Sequence, residues 1–138
     1  MNGKAIVIGF TPGEMEMLRE ALRIPAFGVP EDCKECLVSE IFERAETLNG
    51  PSDWHQRKFV IMDGGVDNET IKHVISSVKS LRLGRVIFAT TTENSLGWKL
   101  KDLLEELMAE DEYFQAMRWA RKEAKKKTGP PFLDIGKG

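Results

Sequence analysis

Cys33-Lys34-Glu35-Cys36 is the one motif in this sequence with chemistry of its own. Two thiols at this spacing can close a disulfide or supply half of a tetrahedral metal site. If Asp32 caps a following helix, Cys33 stands in its first turn, where the helix dipole favours a thiolate. The neighbours Glu31, Asp32 and Glu35 oppose that by raising a thiol pKa. The pair also follows the second strand rather than the first, and no cis-proline candidate stands opposite. A zinc ion would need two more ligands, from a second copy or with help from His55. The plainer reading makes Cys36 a small core residue and leaves Cys33 half exposed.

A second set of residues points to binding rather than catalysis. The run Thr90-Thr91-Thr92-Glu93-Asn94-Ser95 ends one apolar strand and opens a helix. Gly9-Phe10-Thr11 and Asp63-Gly64-Gly65 follow two other strands. In a parallel sheet these three loops meet on one side, where open α/β folds take ligands. Phe10, Thr11, Asp63, Thr90, Thr92, Asn94, Ser95 and Trp98 are then the expected ligand-binding residues, for a small anionic or polar ligand. Capping and turn formation account for the same side chains in the plainer reading.

Asp63 and Thr90 also match the places of two functional residues in phosphate-receiving response-regulator domains. The acidic pair expected after the first strand is replaced by Gly9 and Phe10, and one carboxylate is a poor Mg²⁺ site. A receiver-like shape without phosphotransfer is the expectation. The sequence has no phosphate loop, no dinucleotide fingerprint and no Gly-x-Ser-x-Gly elbow. His73 falls on a polar helix face and His55 in a loop, so no catalytic residue and no cofactor is assigned.

These groups must be positioned by strands and helices. Ala5-Ile6-Val7-Ile8, Phe59-Val60-Ile61-Met62 and Val86-Ile87-Phe88-Ala89 are continuous apolar runs, the pattern of strands covered on both faces. Ala26-Phe27-Gly28-Val29 is short and holds a Gly, which suits an edge. A helical pattern follows each. The first opens with Thr11-Pro12-Gly13-Glu14, a capping box with Pro at the first position, and buries Met15, Leu18 and Leu22. The second is expected from Asp32, with Leu37, Val38, Ile41, Phe42, Ala45 and Leu48 inward. The third starts near Asp67 or Asn68 and carries Ile71, Val74, Ile75, Val78 and Leu81. The fourth starts near Asn94 or Ser95 and carries Leu96, Leu100, Leu103, Leu104, Leu107 and Met108, with Trp98 in its first turn.

Strand–helix repeated four times predicts an α/β three-layer sandwich. Its four-stranded, mostly parallel sheet takes the order 2-1-3-4, receiver- or flavodoxin-like, with a long C-terminal helix. Residues 1–127 are expected to form one domain, with 128–138 a mobile or docked tail. The polar segment 49–57, with Trp54 and His55, is a surface loop.

Residues 102–112 hold six acidic and no basic side chains, whereas 118–127 hold six basic and one acidic. This order complements a helix dipole. The basic end could also pair with the acidic stretch of the same or a neighbouring chain. Trp119 lies off the face set by Tyr113, Met117, Ala120 and Ala124, which hints at a protein partner or homo-oligomer. A net charge of -2 argues against a general polyanion binder, and although the basic end with Trp119 could touch nucleic acid or an acidic partner, nucleic acid is not the expected partner. No apolar run approaches the ~20 residues that span a bilayer. Met1-Asn2-Gly3-Lys4 lacks the features of a secretory signal. The protein is therefore read as cytoplasmic, with reduced thiols.

The block Ala89-Thr90-Thr91-Thr92, Ser95, Trp98, Leu103-Leu104-Glu105-Glu106-Leu107 and Glu110 resembles a prokaryotic family of unknown function, the one numbered thirty-seven eighty-three. Its members pair a strand ending in an Ala-x-Thr-like turn with a Trp and an acidic Leu-rich helix. The likeness covers roughly the second half of the chain, with Phe10 as a weaker match. It implies a small bacterial or archaeal α/β domain and supplies neither an activity nor functional residues. The leading expectation is thus a non-catalytic module binding a small ligand or a protein at the carboxyl edge of the sheet. The alternative is a thiol redox or metal-binding protein using Cys33 and Cys36.

Overall fold

A computed structural model describes residues 3–128 of the 138-residue chain, with side chains to residue 123. Two compact units are present, Met1–Glu105 and Glu106–Gly138. Four strands form one sheet: β1 (Ala5–Ile8), β2 (Ala26–Gly28), β3 (Lys58–Met62) and β4 (Val86–Thr90). The helices are α1 (Pro12–Ala21), α2 (Val38–Glu43), α3 (Asn68–Ser80), α4 (Glu93–Leu96) and α5 (Leu100–Thr128). The predicted C-terminal tail lies outside the described residues.

The strand order is β2-β1-β3-β4, as the sequence predicts. β1–β2 and β3–β4 are parallel, so the sheet is mostly parallel. The central pair is antiparallel, with Ala5 opposite Met62 and Ile8 opposite Phe59. The sheet thus keeps the predicted strand order but not a uniform strand direction. A half-turn about the sheet normal exchanges β1–α1–β2 with β3–α3–β4 in order and direction. Two βαβ units of one hand, so related, must place both helices on one face. The core agrees: Ala5, Val7, Val60 and Met62 cluster with Met15 and Leu18 of α1, Leu22 just after it, and Val74 and Val78 of α3.

Alternate strand residues point the other way. Ile6, Ile8, Phe59, Ile61 and Ile87 are buried there, and Val38, Ile41 and Phe42 of α2 and Leu100, Leu103 and Leu104 of α5 are buried too. β1 and β3 read as unbroken apolar runs because each is covered on both faces, whereas the edge strand β4 fully buries only Ile87.

Local signals set the helix starts. Thr11 Oγ1 accepts the Glu14 N–H at 3.2 Å, and the Glu14 carboxylate accepts the Thr11 N–H at 2.9 Å. Asp67 caps α3 by accepting the Thr70 N–H at 2.9 Å, and hydrogen bonds from the Thr70 hydroxyl first and this N–H second hold its carboxyl below the usual range. The second helix departs from expectation. Residues Glu31–Cys33 form a short 3-10 turn, and α2 begins only at Val38, where the Glu40 carboxylate accepts the Leu37 N–H at 3.1 Å. Leu37 is consequently exposed, and Asp32 caps no α-helix. The fourth helix is also split. Thr92 caps α4, Gly97 ends it, and Trp98 sits in the link to α5 rather than in a first turn.

Candidate functional site

The antiparallel central pair divides the predicted ligand set. One end of the sheet carries the carboxyl ends of β1 and β2, with Phe10 and Thr11. The opposite end carries the carboxyl ends of β3 and β4, with Asp63, Thr90, Thr92, Asn94 and Ser95. The expected convergence of all three loops is therefore wrong. Periodicity cannot show it, because a strand buried on both faces has the same apolar pattern in either direction.

The β3–β4 end is largely self-satisfied. Thr91 Oγ1 accepts the Gly64 N–H at 2.8 Å, and a Cβ on Gly64 would run into the Thr91 carbonyl. Asp63 is half-buried, and its carboxylate accepts the Gly65 N–H at 3.1 Å. Ser95 is buried, and its Oγ accepts the Thr92 N–H at 2.8 Å while Thr92 Oγ1 accepts the Ser95 N–H at 3.1 Å. These hydroxyls close a loop and a cap. Thr90 and Asn94 are exposed, as is Trp98, whose carbonyl accepts the Val38 N–H at 2.9 Å.

The β1–β2 end is different. A groove of about 530 Å³ lies beside Phe10, Met15, Phe27 and Gly28, with Glu16, Arg19 and Asn49 at its rim. Phe10 and Met15 are buried and give it an apolar floor. Segment 49–57, expected as a surface loop, folds onto this end. Ser52 is buried, donates its hydroxyl to the Phe10 carbonyl at 2.8 Å, and its own carbonyl accepts the Gly9 N–H at 2.6 Å. Gly9 has φ +91°, and a Cβ there would strike the Arg57 carbonyl, so only glycine permits this approach. Sequence reasoning missed Ser52, since a serine in a polar loop carries no signal of burial. His55 serves packing. It meets Phe59 edge-on at 5.0 Å, its Nδ1 accepts the Arg57 N–H at 2.9 Å, and burial pushes its pKa down. His73 is half-buried rather than purely surface, and its Nε2 accepts the Arg23 N–H at 3.2 Å.

The cysteine pair forms a third feature. Cys33 is buried and Cys36 half-buried, the reverse of the plainer sequence reading, because the 3-10 turn rotates Cys33 inward. Arg44 Nη2 lies 3.5 Å from Cys33 Sγ and 3.2 Å from Cys36 Sγ. Burial pushes the Cys33 thiol up, and the charge of Cys36 adds to this, while Arg44 pulls it down. The strand-like link Leu37–Lys99 holds this turn, and Glu35 bridges Lys99 at 3.3 Å and Lys101 at 2.9 Å. Among the described residues, no three His, Cys, Asp or Glu side chains are grouped to hold a metal. A guanidinium on both sulfurs occupies the place a cation would need. Arg44 was also missed from sequence; its only signal is a lone base within an acidic stretch.

The class defined by this architecture is a small mixed-sheet α/β protein made from two βαβ units. The model of a family described as a domain of unknown function (DUF3783) matches residues 58–114, from the start of β3 into α5. The match falls in the second half of the chain, where the residues carry the resemblance. No curated protein and no solved structure is similar enough to match. Among the described residues, no helix is long and apolar enough to cross a membrane.

Proposed function

We propose that this chain is a non-catalytic binding module whose ligand seats in the groove at the carboxyl ends of β1 and β2. The observation that carries the reading is a recess of about 530 Å³ with buried Phe10 and Met15 as its floor. Its size is that of small-molecule sites, and an apolar floor with few polar groups is their usual lining. Arg19 is the cation at the rim, so the ligand expected is small, with an apolar body and an anionic group. Of the residues expected from sequence, Phe10 and Thr11 belong to this end. Anilinonaphthalene sulfonate, an aromatic anion, is a suitable probe in amide-resolved NMR titration. Shifts should centre on Phe10, Met15, Phe27 and Gly50, and Arg19→Gln should weaken binding several-fold. Shifts centred on Asp63, Gly64 and Thr90 to Ser95 instead would reject this location.

The Arg44 contacts favour one second reading, a thiol pair that cycles between dithiol and disulfide. Half-buried Cys36 would attack and buried Cys33 would resolve, with two electrons and two protons passing to a disulfide oxidant. Such a pair works best when the attacking thiol has a depressed pKa. The upward push on Cys33 keeps the resolving thiol protonated and so slows closure of the disulfide. A midpoint potential near that of cellular dithiol couples, lost in Arg44→Ala, would favour the redox reading.

A further inference from the structure

In the unit Glu106–Gly138, α5 is the sole described element. In proteins most of a helix's stability comes from packing an apolar face rather than from intrinsic propensity. This one carries such a face. Ala109, Tyr113, Ala116, Met117 and Ala120 recur at helical spacing, and all are exposed. Tyr113 is 61% and Met117 38% exposed, and Phe114 on the flank is 56% exposed. A stripe of alanines between larger side chains lets two helices approach closely.

We infer that this stripe is covered by α5 of a second copy of the same chain, packed antiparallel. Charge selects that occupant. The acidic run 102–112 and the basic run 118–127 lie on either side of residue 115. A two-fold axis near this residue lays the acidic run of each copy along the basic run of the other. A parallel pair would instead set acid against acid and base against base. The stripe falls at the centre, so Tyr113 of each copy meets the region of Met117 on the other. Glu110 and Arg121 lie on the same flank of the stripe, and in an antiparallel two-fold pair equal flanks face each other. Such an interface is isologous and closes at two copies.

Sedimentation equilibrium on the full chain tests this. The chain mass is 15.6 kDa, and a species of twice that mass is expected at low salt, shifting toward monomer as salt rises. Glu110→Lys alone and Arg121→Glu alone should each weaken association at least tenfold, and the two together should restore it. Met117→Glu should abolish it, with far-UV circular dichroism confirming that the sheet domain stays folded. A wild-type chain that stays monomeric at every salt concentration overturns the inference and means that another molecule covers the stripe. Equal association of wild type and the two single charge variants overturns it as well.

Discussion

Gly64→Ala is the substitution that most directly asks whether the β3–β4 end is filled by the protein itself. A Cβ at residue 64 would collide with the Thr91 carbonyl and stand 3.2 Å from Thr91 Oγ1. The obstacle is backbone, so the loops must separate rather than a side chain rotate. Overpacking of this kind costs about 1–3 kcal/mol. Separation also loosens the 2.8 Å bond from the Gly64 N–H to Thr91 Oγ1, worth about 1 kcal/mol. The expected loss is therefore about 2–4 kcal/mol, which corresponds to roughly 10–30 °C in Tm for a domain of this size. Gly65→Ala is the matched control. A Cβ there meets only Asp63 Oδ1 at 3.8 Å, so its effect should stay within about 0.5 kcal/mol. Urea unfolding followed by circular dichroism reads both, with the slope unchanged. If Gly64→Ala is as stable as Gly65→Ala, the two loops are not packed together, and that end has room for a ligand after all.

Thr11→Ala should cost about 1 kcal/mol in the same assay, since it removes the side-chain half of the α1 capping box. Iodoacetamide at pH 8 should modify Cys36 well before Cys33, because Cys33 is buried and its thiol stays protonated beyond the ordinary value of 9.0; equal rates in a mass-spectrometric time course would refute the assigned burial. Asp67 has a depressed folded pKa, so its contribution is present above the ordinary value of 3.8 and is lost as pH falls through the lower folded value. Asp67→Asn keeps a capping oxygen without titrating, so the stability gap between it and wild type should shrink below that pH in acid-dependent urea melts. A gap that is constant between neutral pH and pH 2 would show that the carboxylate contributes nothing through its charge.

Local features were legible in the order of residues. Thr11 with Glu14, and Asp67 ahead of α3, fix helix starts within one turn of chain, where the cap and the amide it satisfies are neighbours. Unbroken apolar runs in β1 and β3 announce strands buried on both faces, and the short glycine-bearing β2 announces an edge, whereas the equally apolar β4 proves to be the other edge and only half-buried. The order 2-1-3-4 came instead from four repeated strand–helix units with right-handed crossovers. The direction of β3 was not legible, because burial on two faces leaves no mark of polarity along a strand. That direction depends on the connector between β2 and β3. A single long helix from Asp32, as its apolar spacing predicts, would carry the chain across the sheet and deliver a parallel strand. The connector instead breaks into Glu31–Cys33, α2 and Ala45–Thr47. It returns beside its own start, where Trp54 Nε1 donates to the Val29 carbonyl at 2.8 Å. Only the folded chain decides that return. With it come the separation of Thr11 from Asp63, the burial of Ser52 beneath Phe10, and the placing of Arg44 across both cysteine sulfurs, since each joins residues whose proximity no local pattern encodes.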